Sequence, residues 1–166
     1  MAVENKYVNA SAEAGEIYPS EKVSGAKTIS IAITFEVAAA DDDGSVYRLF
    51  KSLPATLVPI DIKINNDAIT AGTDYDLGFY SPEKGTVIDK DSLVDGGDLS
   101  SAHALGSELS GLTALDQSYI GKNLGEILNG KLSNTIKYET VDLCLTGNTV
   151  GTAAGTVSVR AIFAQG

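Results

Sequence analysis

A chain of 166 residues carrying a formal charge of −10, with a pI near 4.4, has the size of one domain and repels phosphate backbones and anionic lipid headgroups. Nucleic acid and membrane surfaces are therefore excluded as expected partners. One cysteine, Cys144, rules out an internal disulfide and fits a reducing compartment, and no apolar run approaches the ~20 residues of a membrane helix. The opening MAVENKYVNA has no basic region followed by an apolar core, so a soluble, unexported protein is expected.

Residues 1–25 lack a sustained period, mix small and charged residues and carry Pro19, which reads as an extended N-terminal arm preceding a body over 26–166. Lys27–Val37 alternates Ile29, Ile31, Ile33, Phe35 and Val37 with Thr28, Ser30, Ala32, Thr34 and Glu36, the signature of a long strand with one wet face. Asp41, Asp42, Asp43 and Gly44 end it, because adjacent acids repel and glycine allows a turn.

The stretch Ser45–Tyr80 reads as three consecutive strands. The first, Ser45–Leu53, has an ambiguous inward face and stops at Pro54. The second, Ile60–Asn65, sets Ile60, Ile62 and Ile64 against Asp61, Lys63 and Asn65. The third, Asp74–Tyr80, groups Tyr75, Leu77 and Phe79. Asp67–Thr73 between the last two predicts a turn or hairpin loop with Gly72 as its positive-φ residue. Ser81–Gly85 is a loop, and residues 86–118 contain no apolar run long enough to assign, which suggests a long excursion across the body.

Tyr119–Leu128 spaces Ile120, Leu124, Ile127 and Leu128 on one face of a short helix that Gly130 closes. Two strands follow, Lys137–Thr146 and Gly155–Ala164, with Gly147–Gly155 joining them as a hairpin. The set predicts an all-β fold: an antiparallel β-sandwich of jelly-roll-like topology, with one short helix and the N-terminal arm.

Little here carries chemistry. Asp89, Asp91, Asp95 and Asp98 supply carboxylates within ten residues, but Leu93 and Val94 break the spacing of a calcium loop, and Asp41–Asp43 lack spaced partners. A solvated acidic loop is the simpler reading of both. His103 is the only histidine and Cys144 the only soft ligand, too few to close a zinc site. Cys144 lies in an apolar strand, where a free cysteine packs as a small hydrophobe rather than acting as a nucleophile. No catalytic residue, cofactor site or metal site is expected, and the chain is not read as an enzyme. Tyr7, Tyr18, Tyr47, Tyr75, Tyr80, Tyr119 and Tyr138 outnumber the four Phe, and tyrosine suits surfaces that a partner half covers, so an interface role is expected for some of them.

One resemblance covers most of the chain. A Ser-x-Tyr-Arg strand (Ser45, Tyr47, Arg48) leads to a turn with Pro54, then an alternating strand and a turn with Asp67, Ala68, Thr70 and Gly72. An Asp-x-Gly-x-Tyr strand (Asp76, Gly78, Tyr80) follows, then Val87, Asp89 and Asp91 before Asp98-Leu99-Ser100. With the opening MAVENKY and the closing SVRAIFAQ, this order resembles the head decoration, or cement, proteins of tailed bacteriophages. The acids before Gly44 and the loop Ser81–Gly85 have no counterpart in that pattern.

The resemblance implies a non-enzymatic virion protein, made in the host cytoplasm and bound to the capsid exterior. There it would bridge subunits of the major capsid protein and stabilise the head as a homodimer or homotrimer. About 800 Å² per partner suffices for such an interface, and contact with several capsomers adds effective concentration. The alternatives are a ligand-binding, carbohydrate-recognising β-sandwich module, against which the absence of Trp counts, and a tail or baseplate structural subunit.

Overall fold

The computed structural model describes residues 5–7, 28–83, 85–128 and 140–165. Among the described residues nine strands form two sheets. β1 (Asn5–Tyr7), β3 (Ser45–Pro54), β8 (Thr140–Thr149), β5 (Asp74–Tyr80) and β6 (Val87–Gly97) lie side by side in that order. β2 (Thr28–Val37), β9 (Gly155–Gln165), β4 (Leu57–Asn66) and β7 (Leu109–Ser110) form the second sheet. With β1 set aside, β2 to β9 alternate between sheets except at the β5–β6 pair, and the orders are first-eighth-third-sixth and second-seventh-fourth-fifth, the strand order of a jelly roll. The antiparallel β-sandwich expected from sequence is thus the observed fold, and β1 joins it by parallel pairing, Asn5 against Val46 and Tyr7 against Arg48.

The core lies between the sheets. β2 behaves as its alternation predicts: Ile31, Ile33, Phe35 and Val37 are buried, and Thr28, Ser30, Ala32, Thr34 and Glu36 are exposed. Facing strands bring Tyr75, Leu77 and Phe79 of β5, Leu143 and Leu145 of β8, and Val157, Val159, Ala161 and Phe163 of β9 into one cluster. The rings of Phe35 and Tyr47 meet across it at 5.2 Å between centroids.

Bulges explain most departures from the sequence reading. In β3 the register against β8 shifts between Arg48 and Phe50 and again before Leu53, so Leu49 and Phe50, adjacent in sequence, are both in the core. In β4 a shift between Pro59 and Asp61 turns Ile60 outward, 54% exposed, whereas Ile62 and Ile64 stay buried; Ile60 does not share their face. Residues 86–118 are no structureless excursion, since they contain β6 and β7. β6 was hidden because three register shifts against β5 break its period and its acids dilute the apolar content.

The predicted Gly147–Gly155 hairpin does not form, and of the turn or hairpin expected at Asp67–Thr73 the turn does, the Gly72 N–H donating to the Ile69 carbonyl at 2.8 Å. Val150–Ala154 carries the chain from β8 in one sheet to β9 in the other, a gap of ~10 Å. Buried Val150 anchors this crossing by accepting a bond from the Tyr75 hydroxyl at 2.7 Å. The segment after β4 likewise crosses to β5 in the other sheet. Its positive-φ residue is Ala71 (φ 61), and Gly72 is required by space, since a Cβ there would come within 2.9 Å of Ile69 and 3.0 Å of the Val150 carbonyl oxygen.

The predicted helix is cut down to a 3-10 turn at Gln117–Tyr119 and a single α-turn, α1 (Leu124–Ile127), separated by a turn at Ile120–Gly121. Asn123 caps α1 by accepting from the Glu126 N–H at 2.8 Å, and the Glu126 carboxylate accepts from the Asn123 N–H at 2.9 Å, a capping box. Leu124, Ile127 and Leu128 pack inward but Ile120 is 72% exposed, so the four do not form one face. Gly130 and residues 137–139 of the predicted strand lie outside the described residues, as does the predicted arm apart from Asn5–Tyr7.

Candidate functional site

The polar and charged groups that the fold does collect are on the outward side of the β3-β8-β5 sheet, and they are occupied with one another. β3 and β8 set Arg48 opposite Cys144, and β8 sets Cys144 opposite Gly78 of β5. Val46, Tyr80 and Cys144 form a small second cluster there. Arg48 Nη1 lies 3.2 Å from Asp142 Oδ2, with both side chains almost wholly buried. Its Nη2 donates to the Gly85 carbonyl at 3.0 Å, and its guanidinium stands 5.6 Å from the Tyr80 ring centroid.

Asp142 also accepts from the Ser52 N–H at 2.8 Å. Burial pushes its carboxyl above the usual range, partly offset by the Ser52 N–H and by the charges of Arg48 and Lys51. Ser52 itself stands at φ 57, beside the second β3 bulge, so backbone strain here coincides with a buried acid in need of a donor.

A second group ties β5 to β6 and β8. Lys90 Nζ donates to Asp76 Oδ2 at 2.8 Å and to Asn148 Oδ1 at 2.6 Å. Asn148 Nδ2 donates to Asp74 and Asp76 at 2.9 and 2.6 Å, and the Gly96 N–H reaches Asp76 Oδ1 at 3.0 Å. Burial acts to raise the Asp76 pKa, but the bonds from Lys90, Asn148 and Gly96 outweigh it and hold the carboxyl below its ordinary range. Lys90 is raised in turn by its bond to Asp76, against an opposing burial effect. These contacts hold strands in register.

The residues weighed from sequence do not converge. Asp89, Asp91 and Asp95 are on strand β6 rather than a loop, with Asp89 buried and Asp95 exposed. Asp98 follows the strand, accepting from the Ser100 N–H at 2.8 Å. Among the described residues no three His, Cys, Asp or Glu side chains are placed to hold one ion. Asp41–Asp43 build the turn into β3: Asp41 takes the Tyr47 hydroxyl at 2.8 Å, and Asp43 takes the Val150 N–H at 3.0 Å.

His103 bridges to Asn66 of β4 through the backbone and through Nδ1, 2.8 Å from Asn66 Oδ1, whereas Cys144 is fully buried in the other sheet. Burial drives the thiol far above its ordinary pKa, the opposite of an activated nucleophile. Of the tyrosines, Tyr47, Tyr75 and Tyr80 are buried, and burial raises each of their pKa values; Tyr119 is 37% exposed. The interface expected of the tyrosines is thus not formed by those three, because each hydroxyl finds an interior partner: Asp41, the Val150 carbonyl and Thr146. Tyr18, Tyr138 and the side chain of Tyr7 are outside the described residues.

The large apolar side chains left exposed among the described residues are scattered. Ile60 is on the β4 bulge, Val87 at the start of β6, Leu105 in the loop before β7, and Tyr119 with Ile120 before α1. Apolar side chains scattered singly are ordinary on a protein surface and mark no site by themselves.

No family model matches the chain, and no curated protein matches it. Among solved structures it is similar to a chain from the capsid of Ralstonia phage GP4, with a TM-score of 0.64 and 16% identity over 97% of this chain and 99% of that one. A chain of the cyanophage Pam1 capsid asymmetric unit aligns with a TM-score of 0.43 and 12% identity, over 89% of this chain and 99% of that one. At 16% identity the likeness is one of fold, and it spans nearly the full length of both this chain and the GP4 chain.

Proposed function

We propose that this chain is a structural virion protein that binds the outer surface of a phage capsid and bridges neighbouring subunits of the major capsid protein, without enzymatic activity. The observation that carries the reading is the end-to-end sharing of its fold with a phage-capsid chain. It is supported by a polar inventory spent on internal pairs, among the described residues, with none converging on a reacting centre. On this reading residues 1–25 act as an arm and 26–166 as the body. The protein works as a homodimer or homotrimer on the capsid exterior after synthesis in the host cytoplasm. Its acidity keeps it from the packaged nucleic acid.

Cosedimentation of the purified chain with empty heads, and separately with tails, tests the proposal. Saturable binding to heads that raises their resistance to heat or chelation is expected. Binding to tails alone would transfer the protein to the tail or baseplate. Heads equally robust with and without the chain would refute a stabilising role. Removing Met1–Gly25 is expected to weaken head binding while the sandwich still melts cooperatively. A carbohydrate module would need exposed aromatic platforms, and the burial of Tyr47, Tyr75 and Tyr80 counts against it.

A further inference from the structure

We propose that the edge of β2 that no described strand covers is a self-association surface, on which a second copy of this chain adds its own β2 antiparallel and joins two four-stranded sheets into one of eight strands. This holds whether or not the virion reading does, because it rests on the edges of the sandwich. A jelly roll has four sheet edges, and three are guarded here. β3, which β1 covers only at Val46–Arg48, is bulged twice and bears Lys51 and Pro54; β6 is bulged three times and bears Asp89, Lys90, Asp91 and Asp95; β4, which β7 covers only at Lys63 and Ile64, is bulged at Pro59 and bears Asp61 and Lys63. Those are the recognised ways of keeping a row of backbone donors and acceptors from recruiting another strand.

β2 has none of them. Its ten residues pair with β9 from Thr28 opposite Ala164 to Val37 opposite Gly155 without a register shift, and among the described residues no strand lies on its other side. It contains no proline and no lysine, and its one charge, Glu36, is turned toward β9, accepting from the Thr156 hydroxyl at 3.1 Å. Thr34 is likewise engaged with Ser158 of β9 at 2.7 Å. The edge is left unbulged, with Glu36 as its one charge, and rich in β-branched residues.

The occupant follows from the pattern of β2 itself. An antiparallel two-fold pairing keeps every inward residue opposite an inward one whenever the paired positions share parity. Centred on Ala32, it sets Ser30 against Thr34, Ile31 against Ile33 and Ile29 against Phe35 of the second copy. The apolar rows of both cores then run on into each other. Glu36 falls opposite Thr28, so the two acids stay at opposite ends of the contact. That matters for two chains that each carry −10.

Nine paired residues, Thr28 to Glu36, run ~30 Å, and a sheet edge about 10 Å deep then buries ~300 Å² per copy. This is under half of the ~800 Å² per partner in a standard interface. The free dimer is accordingly weak, populated at tens to hundreds of micromolar, and gains where a lattice holds copies side by side. Because net charge opposes it, raising the salt strengthens it.

Sedimentation equilibrium of the full chain between about 5 and 500 μM, at 0.15 and 0.5 M salt, reads the association directly. A monomer–dimer equilibrium that tightens with salt is expected. Ala32→Lys, which puts like charges face to face at the centre of the contact, is expected to weaken it at least tenfold without changing the melting temperature at low concentration. Ile60→Lys, away from the edge, is expected to leave it alone. Ala32→Cys is expected to form a disulfide-linked dimer on mild oxidation, since buried Cys144 does not compete. A chain that stays monomeric throughout, or a dimer indifferent to Ala32→Lys, overturns the proposal.

Discussion

Removing the Arg48 guanidinium should be among the most damaging single changes, and the damage should depend on pH in a direction the geometry fixes. In Arg48→Met the aliphatic volume is kept but Asp142, whose side chain is wholly buried, loses its counter-ion. Breaking a buried pair on one side costs about 3–5 kcal/mol at neutral pH. That is a large part of the 5–15 kcal/mol typical of a domain. With a urea m-value of about 2 kcal/mol/M, the unfolding midpoint falls by about 2 M.

The sign with pH follows from Asp142. Its pKa is raised in the folded protein above the ordinary 3.8, first by burial. A raised acid contributes stability that is complete below its unfolded pKa and is lost as pH rises through the folded value. Without Arg48 the folded value rises further, so the cost of the substitution grows between acid and neutral pH. Near pH 4 it shrinks toward the loss of the Gly85 bond and the Tyr80 contact, about 1–2 kcal/mol together. Arg48→Met/Asp142→Asn, which retains an oxygen for the Ser52 N–H, should recover at least about 2 kcal/mol relative to additivity. Urea melts of the four proteins at pH 4 and pH 7 make the check. A cost at pH 7 below about 1 kcal/mol, or one equal at both pH values, would mean that Asp142 is not ionised in the fold and that the argument is wrong.

Three further outcomes are expected. Gly78→Ala should cost several kcal/mol or block folding, because a Cβ there would run into the Asp89 carbonyl oxygen and the Lys90 carbonyl carbon of the neighbouring strand; thermal unfolding measures it. Ile60→Lys should shift the melting free energy by no more than about 0.5 kcal/mol, whereas Ile62→Lys, two residues along the same strand, should abolish the fold. The Cys144 thiol should resist aromatic disulfide reagents at pH 8 in the native protein and react on adding denaturant, since burial both shields it and raises its pKa; fast native labelling would contradict the packing around it.

What was legible in the sequence is what the backbone leaves regular. β2 pairs ten residues without a shift, and its alternation names the buried side chains one by one. β5 groups Tyr75, Leu77 and Phe79 as its period requires. Where an extra residue enters a strand, the period of two changes phase and the pattern misleads: Ile60 looks like a partner of Ile62 until the shift after Pro59 turns it out. In β6, three shifts within eleven residues erase the signal altogether. The crossings after β4 and β8 were misread for a different reason. Short connections usually join neighbours in one sheet, and only the packing of Val150 under Tyr75 and of Ile69 against Gly72 reveals that these join two.

The polar contacts were illegible because they are long-range. Arg48 and Asp142 are separated by 94 residues and Lys90 and Asn148 by 58, and each lies in a segment where a single charge reads as a solvated strand face. Their meeting also bears on strand register. A buried cation–carboxylate pair contributes little net stability compared with apolar residues of the same shape, but it penalises every strand register that would leave one partner alone. β3 carries two bulges and β5–β6 three further shifts, so this outer sheet has many near-equivalent pairings to choose between. Among the described residues the regular β2–β9–β4 sheet carries no such buried pair and has one bulge to fix. The charged pairs thus sit where the backbone is least self-specifying, Arg48 with Asp142 beside the bulges of β3 and Lys90 with Asp76 across the shifts of β5 and β6.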